Sequence, residues 1–385
     1  MFPRFIGVLE IMAVLGTFSS LAYYCLCIWG AASFLRDRKH LSEGLSQPPV
    51  SILKPLKGTD PEMYENFRRH CLQDYGEYEI LFGVSDANDP AVALVEKLKQ
   101  EFPQCAIQLI VCSEKLGTNI KVSNLAQMLA HARHEFLVVN DSDIRVDAGY
   151  LRSIIAPLAA GAGLVTFLYR GVAAPTLGSR LEAVGISTDF IAGVLAARQL
   201  EGINFGLGST LAFRHQDLQA IGGFEILLDY LADDYELGHR IAASGKRVEL
   251  SGTIVETFLP AYSFRGFVQH QLRWARTVRD SRKAGYLGLG LTFGLPWAFS
   301  AVVFSRGASW AWWLLALTAG MRLLVAYLVG SKVLEDRQVA HNLWLVPFRD
   351  LIALGVWLIS FTGHTVEWRG DQFLLKDGKL ARLSS

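Results

Sequence analysis

From Ile11 to Leu35 the chain runs for 25 residues without a charged side chain. At 1.5 Å per residue, a helix of that length can cross a hydrocarbon core of about 30 Å. A cleaved signal peptide has an apolar core of only about 7–15 residues, so a retained membrane helix is the expectation. The run ends in Arg36-Asp37-Arg38-Lys39-His40, whereas its N-terminal side carries only Arg4 and Glu10. Basic residues favour the cytoplasmic side, which puts residue 36 onward in the cytoplasm.

Three more apolar stretches follow: Leu287–Phe304, Ala308–Gly330 and Leu343–Phe361. The first contains Gly288, Gly290, Gly294 and Pro296, which favour a broken or re-entrant helix. The second contains Arg322 and the third Arg349-Asp350. Charges at such depth face protein or a water-filled cavity. They either pair with one another or snorkel to an interface, or form a polar wall for a lipid headgroup. Three full crossings would put Arg369, Lys376, Lys379 and Arg382 outside, against their preference. Leu287–Phe304 is therefore the stretch expected not to cross fully.

Charged residues are 19% of the chain and cluster between these apolar regions, while 51% of all residues are hydrophobic. One soluble domain of roughly 230–250 residues flanked by membrane segments satisfies both figures. A net charge of +1 gives no electrostatic case for nucleic acid. The five cysteines, Cys25, Cys27, Cys71, Cys105 and Cys112, form no CxxC pair. They suggest neither a zinc site nor a disulfide framework, in keeping with a reducing compartment.

After a polar linker at Ser42–Pro49, strands are expected at Val50–Leu56, Glu79–Val84, Ala106–Val111 and Glu135–Val139. Helices are expected at Pro61–Cys71, capped by Thr59 or Asp60, and at Ala91–Phe102 and Lys121–His131. Alternating β and α units with apolar strands imply an α/β fold with a mainly parallel sheet covered on both faces. Ligands of such sheets bind outside the carboxyl ends of the strands. Asp86 and Asp89 lie just past one strand end, and Asp141 and Asp143 past another. With no glycine-rich phosphate loop, phosphates would need another counter-charge.

Asp141-Ser142-Asp143 can place two carboxylates on one hard cation, Mg²⁺ or Mn²⁺, bridging to a diphosphate. Asp86 and Asp89 either hydrogen-bond a nucleotide base or ribose or serve turn chemistry. Asp233 and Asp234 open a helix, Ala232 to Ala243; the acids either complement the helix dipole or supply a general base for an acceptor hydroxyl. Lys121 can supply phosphate counter-charge, and Asn119 and Asn124 can bind a nucleotide, or the stretch is a solvated helix start. Gly206 to Thr210 reads as a flexible turn near an acceptor cleft. Ser263–Arg279 reads as an amphipathic helix. It carries Arg273, suited to a pyrophosphate, and Trp274, suited to a place beside the acceptor.

In this order the motifs resemble inverting family-2 glycosyltransferases with the GT-A fold, and more narrowly ceramide glucosyltransferases and bacterial hopanoid-biosynthesis glycosyltransferases. The matching stretches are SILKPLKGTDP, SDANDPA, LGTNIKVSNL, NDSDIRV, LADDYELGHRIAASG, LRWARTVR and VEWRGDQFLL, spanning nearly the whole chain. The resemblance implies Asp89 as the family's first aspartate, Asp141 as its second and Asp234 as the third, the catalytic base. Arg273 and Trp274 match the end of the (Q/R)xxRW motif; His270 departs from its first position. Asp143 completes a DxD where animal-type enzymes can have glycine, which favours a bacterial-type relative. The implied organisation is an anchor at 1–40, a GT-A domain at 41–260, an interfacial helix at 261–286, membrane segments at 287–364 and a basic tail at 365–385. The implied reaction moves glucose or N-acetylglucosamine from a UDP-sugar to a membrane lipid, ceramide or a hopanoid polyol, at a bacterial inner membrane. A processive polysaccharide synthase, a phosphoprenol-sugar synthase and a non-enzymatic nucleotide-binding scaffold are the alternatives.

Overall fold

The computed structural model describes residues 2–38, 47–368 and 371–382. Expectations for Lys39, His40, residues 42–46 of the linker and Arg369 fall outside them. The chain begins with helix α1 (Phe2–Asp37). Then come β1 (Val50–Leu56), α2 (Met63–Cys71), β2 (Tyr78–Val84), α3 (Ala91–Glu101), β3 (Ala106–Val111), α4 (Ile120–Leu129) and β4 (Phe136–Asn140). These agree with the sequence pattern to within two residues, because mainly apolar runs such as VSILKPL are buried along their whole length. The start of α2 differs. Neither Thr59 nor Asp60 caps it, and Glu62 at φ 54° precedes Met63 instead. Asp60 instead accepts a hydrogen bond from Ser142.

Next come β5 (Ile144–Arg145), α5 (Tyr150–Ala159), β6 (Leu164–Val172), α6 (Leu177–Gly185), a π-helical turn (Ile186–Phe190) and α7 (Ile191–Leu200). The domain closes with β7 (Thr210–Arg214), α8 (His215–Ala220), α9 (Asp233–Ala243) and β8 (Val248–Phe258). The sheet order is β3-β2-β1-β4-β7-β6-β8-β5. The sheet is mainly parallel, as expected: six of its eight strands run one way and two are reversed. β1, β2, β3 and β4 are parallel, as are β6 and β8, but β7 runs antiparallel to both β4 and β6, and β5 antiparallel to β8. The cause is the α6–α7 excursion. It leaves from the carboxyl end of β6 and returns on the same edge, where Thr210 pairs with Asn140, so the next strand must run backwards.

That edge faces the apolar helices. α7 packs along α1 so closely that a Cβ on Gly30 would lie 2.6 Å from the Leu195 carbonyl oxygen. Tyr24, Cys27, Ala31 and Phe34 of α1 belong to the same core as the sheet. The N-terminal helix is thus built into the domain, not tethered to it. Asp37 and Arg198 clamp its end at 2.6 Å.

Beyond β8 lie α10 (Phe264–Ser281), α11 (Lys283–Gly288), α12 (Gly294–Phe304), α13 (Ser309–Ala326), α14 (Arg337–Asn342) and α15 (Val346–Ser360). Among the described residues three helical stretches are long and apolar enough to span: 6–37, 309–333 and 337–360. The glycine-rich stretch is broken as expected, with 283–291 and 294–304 meeting at a 47° bend. α12 climbs α1 away from the domain: Gly294 meets Tyr24, and Trp297 lies against Gly16. α13 returns, and Glu335 beyond it pairs with Arg38 at 2.9 Å. One end of 337–360 lies on the domain and the other on α10. Gln338 contacts Gly171 and Ala173, and the Ser360 carbonyl accepts from Arg279.

The tail, expected only as a basic segment, forms a second sheet of β9 (Thr365–Trp368), β10 (Asp371–Lys376) and β11 (Lys379–Arg382). Val366, Phe373, Leu375 and Leu380 enclose Leu231 of the domain, and Leu231 N–H donates to the Gly378 carbonyl at 3.2 Å.

Candidate functional site

The site is built on the end of β4. Asn140 is fully buried, and its amide nitrogen donates to the Ser209 carbonyl at 3.0 Å and to Thr210 Oγ1 at 3.2 Å. This fixes the DxD turn against the Gly206–Thr210 segment. Beneath it sits Lys54, a wholly buried lysine that sequence reading passed over. Its amine donates to Asn140 Oδ1 and, at 2.9 Å, to the Asp141 carbonyl. Burial pushes the amine down to about 7, against the opposing pull of Asp141 and Asp143. The signal was a lone charge inside a strand that is otherwise apolar.

Lys121 joins the two acidic motifs. Its Nζ lies 3.0 Å from Asp141 Oδ1 and 3.2 Å from Asp233 Oδ2. Burial opposes its charge, but Asp141, Asp233 and Asp234 hold it protonated above the usual lysine range. Asp143 accepts from Thr257 at 2.7 Å. Burial, and then the charge of Asp141, push its carboxyl up to about 6.

The adjacent aspartates of α9 divide their roles. Asp233 is buried, paired with Lys121 and 3.4 Å from the side-chain amide of Asn119. Asn119 itself caps α4 by accepting from Val122 N–H. Asp234 is half-buried, and among the described residues no salt bridge reaches it. Burial, and then Asp233, push its carboxyl up to about 6, with Lys121 acting in the other direction. Gly208 runs directly beneath. A Cβ there would lie 2.9 Å from Asp234 Oδ2 and 3.8 Å from Asp141 Oδ2. Lys121, Asp141, Asp143 and Asp234 therefore converge on one wall.

The second loop cluster is organised separately. Asp89 accepts the Gly58 N–H on both oxygens, at 3.1 and 2.9 Å, and the Ala91 N–H at 2.9 Å. It ties the loop after β1 to the start of α3. Asp86 is exposed and accepts the Asn88 N–H at 2.9 Å, a turn interaction. Asn124 is buried and accepts from Ser85 at 2.9 Å. No hydrogen bond or ion pair joins Asp86 or Asp89 to Asp141 or Lys121 among the described residues.

α10 begins at its Ser263 cap and lies across α6. His270, the departure at the head of the RW motif, has its Nδ1 3.4 Å from Glu182 Oε1, and Gln271 donates to Glu182 Oε2 at 2.8 Å. Glu182 is almost completely buried on α6, and no sequence motif marked it. Trp274 meets the rings of His270 at 5.4 Å and Phe190 at 5.7 Å. Phe190 in turn packs on Tyr169 at 5.8 Å. Burial raises the Tyr169 hydroxyl well above its usual range, and Asp234, Glu182, Asp143 and Asp141 raise it further. Tyr169 thus stands between the carboxylates and the Trp274 cluster. Arg273 is half-buried on α10, and its charge reaches Tyr262.

Among the described residues no cluster of three His, Cys, Asp or Glu side chains could hold a metal ion by protein ligands alone. The charge of Asp141 helps raise the proton affinity of Asp143, a repulsion that a divalent cation relieves. Two carboxylates completed by substrate phosphates fit the oxygen-donor habit of Mg²⁺.

Comparison with known proteins follows this geometry. Ceramide glucosyltransferase 3 of Caenorhabditis elegans is 24% identical over 275 residues, covering 70% of this chain and 60% of its own length. Ceramide glucosyltransferase 1 of the same organism is 21% identical over 350 residues, covering 88% and 74%. A mannosyltransferase from Pyrobaculum calidifontis, solved with GDP-Man and Mn²⁺, superposes with a TM-score of 0.56 at 18% identity, covering 92% of this chain and 97% of that one. That likeness establishes a GT-A-like fold. The family description glycosyl transferase family 21 matches residues 12–381, and the chain belongs to that family.

Proposed function

We propose that this chain is an inverting, membrane-embedded hexosyltransferase that moves a sugar from a nucleoside-diphosphate sugar to the hydroxyl of a membrane lipid. The observation that carries the reading is Asp234, a carboxylate poised near 6 on the same wall as Asp141 and Lys121. That wall lies at the sheet edge turned toward the membrane helices. Asp234 takes the proton of the acceptor hydroxyl, and the oxygen attacks the anomeric carbon opposite the leaving group. The bond from that carbon to the diphosphate oxygen breaks, and Lys121 with Arg273 neutralises the departing diphosphate. A Mg²⁺ or Mn²⁺ ion held by Asp141 and Asp143 would supply Lewis-acid stabilisation of that diphosphate.

The resemblance to ceramide glucosyltransferases supports glucose from a UDP-sugar and a ceramide acceptor; N-acetylglucosamine and a hopanoid polyol are the other sugar and acceptor we propose to test. Mass spectrometry of lipids from a host expressing the chain, with ceramide and hopanoid acceptors supplied, tests this. A new hexosyl- or acetylhexosaminyl-lipid absent from the Asp234→Asn strain is expected. No new glycolipid would refute it.

The contacts also support a topology. A tail sheet packed on Leu231 requires an even number of crossings between domain and tail. We assign them to the bent pair 283–304 and to 309–333, leaving 337–360 along the interface on the domain side, which is the cytoplasm by the positive charge after α1. This assignment differs from the expectation that Leu287–Phe304 does not cross fully. In a chain whose native cysteines are replaced by serine, an impermeant maleimide should label Lys376→Cys and Glu96→Cys from one side and Ser305→Cys from the other. Opposite labelling of Lys376→Cys and Glu96→Cys would overturn the assignment.

A further inference from the structure

Beyond the catalytic wall, an open groove of about 610 Å³ lies between residues 173–175, α6 and α14. Three basic side chains line it: Arg180, Arg337 and His341. The acids around it are already engaged. Asp336 accepts from Ser187 at 2.8 Å, Glu335 pairs with Arg38, and Glu256 pairs with Arg170. Among the described residues no salt bridge reaches Arg180 or Arg337, so the groove keeps an uncompensated positive charge. Its volume is that of a small-ligand site.

The rim is apolar. Trp344 and Phe348 are 61% and 58% exposed, and their rings meet edge-on at 6.4 Å. Exposed tryptophan beside basic residues marks the level of lipid headgroups. A free anion would use the arginines and leave this rim idle, whereas a phospholipid uses both.

We propose that this groove binds an anionic phospholipid as a resident ligand, its phosphate among Arg180, Arg337 and His341 and its apolar part along Trp344 and Phe348. The site is separate from sugar transfer and does not depend on it.

The test uses the full chain in mild detergent, exposed to equal amounts of phosphatidylglycerol and phosphatidylcholine with identical acyl chains, and read by native mass spectrometry. The wild type should retain phosphatidylglycerol over phosphatidylcholine. Arg180→Gln/Arg337→Gln should bind it about thirtyfold more weakly, equivalent to about 2 kcal/mol at 1.4 kcal/mol per tenfold. Both positions are exposed, so the fold should survive. If the double variant fails to fold, Arg337→Gln alone should still lose about fivefold, half of that energy. Equal retention of both lipids, or undiminished phosphatidylglycerol binding by the variants, overturns the proposal. Soluble glycerophosphate competing as strongly as the lipid reassigns the site to a free phosphate and refutes the lipid. A bound phosphatidylglycerol that acquires sugar when donor is added makes it an acceptor and refutes the resident role.

Discussion

Replacing Asp234 by asparagine removes a charge while keeping the side chain's size. The Lys121 ion pairs with Asp141 and Asp233 remain, so the donor site should stay assembled. Loss of a general base costs about 10²- to 10⁴-fold in kcat, or about 2.7–5.5 kcal/mol of transition-state stabilisation. The KM for the nucleotide-sugar should change by less than about threefold, because uniform binding is untouched. Acid should reveal the same group. Burial and Asp233 place the Asp234 carboxyl at about 6, and the base must be deprotonated to act. Wild-type kcat/KM should therefore fall at least about tenfold per pH unit below that value, and residual Asp234→Asn activity should fall less steeply by one proton, because only Asp143 then titrates near 6. Asp233→Asn gives the opposite signature. Removing the neighbouring charge that raises Asp234 should move the limb to lower pH, while loss of one Lys121 partner should weaken donor binding. A radiolabelled-donor assay in proteoliposomes across this pH range measures all four quantities. Near-normal kcat in Asp234→Asn, or an unchanged acid limb, would refute its role as base.

Gly208→Ala should leave the melting temperature in detergent almost unchanged yet lower kcat by about tenfold or more. The new Cβ meets only the movable end of Asp234, and small displacements of a catalytic group are expensive. Lys54→Met should lower both melting temperature and donor affinity, since Asn140 and the Asp141 carbonyl lose their buried donor at about 1–3 kcal/mol each, partly offset by no longer burying an ammonium. Asp350→Asn should destabilise the membrane region by about 3–5 kcal/mol, because Arg322 sits 4% exposed and forked onto that carboxylate at 2.8 Å. Arg322→Met/Asp350→Leu should recover most of the lost melting temperature.

Most of the first half of the domain was legible because β1, β2 and β4 are buried along nearly their whole length and read as mainly apolar runs. The pairing of Arg322 with Asp350 was legible too, since two opposite charges in apolar helices have few other partners. The reversal of β7 was not, because it depends on where the α6–α7 excursion returns, and no local pattern encodes that. Asp233 and Asp234 are equivalent by composition and helix-dipole logic. Only Lys121 and Asn119, brought from α4, separate a structural aspartate from the one left facing the cleft. His270 looked like a flaw in the motif until Glu182, distant in sequence, supplied its counterpart. The tail was read by charge alone, and alternation as brief as DQFLLK gave no hint of a sheet that grips Leu231.

The seat of that sheet has a consequence in time. Leu231 and Tyr230 lie two and three residues ahead of Asp233, and the Tyr230 carbonyl accepts from Asn119. The strands that hold this corner, Thr365–Arg382, are synthesised after every apolar helix described above. A nascent chain emerging from the ribosome therefore carries both aspartates for more than a hundred residues before their support exists. The corner ahead of Asp233 and Asp234 is therefore completed only by strands that follow the last apolar helix.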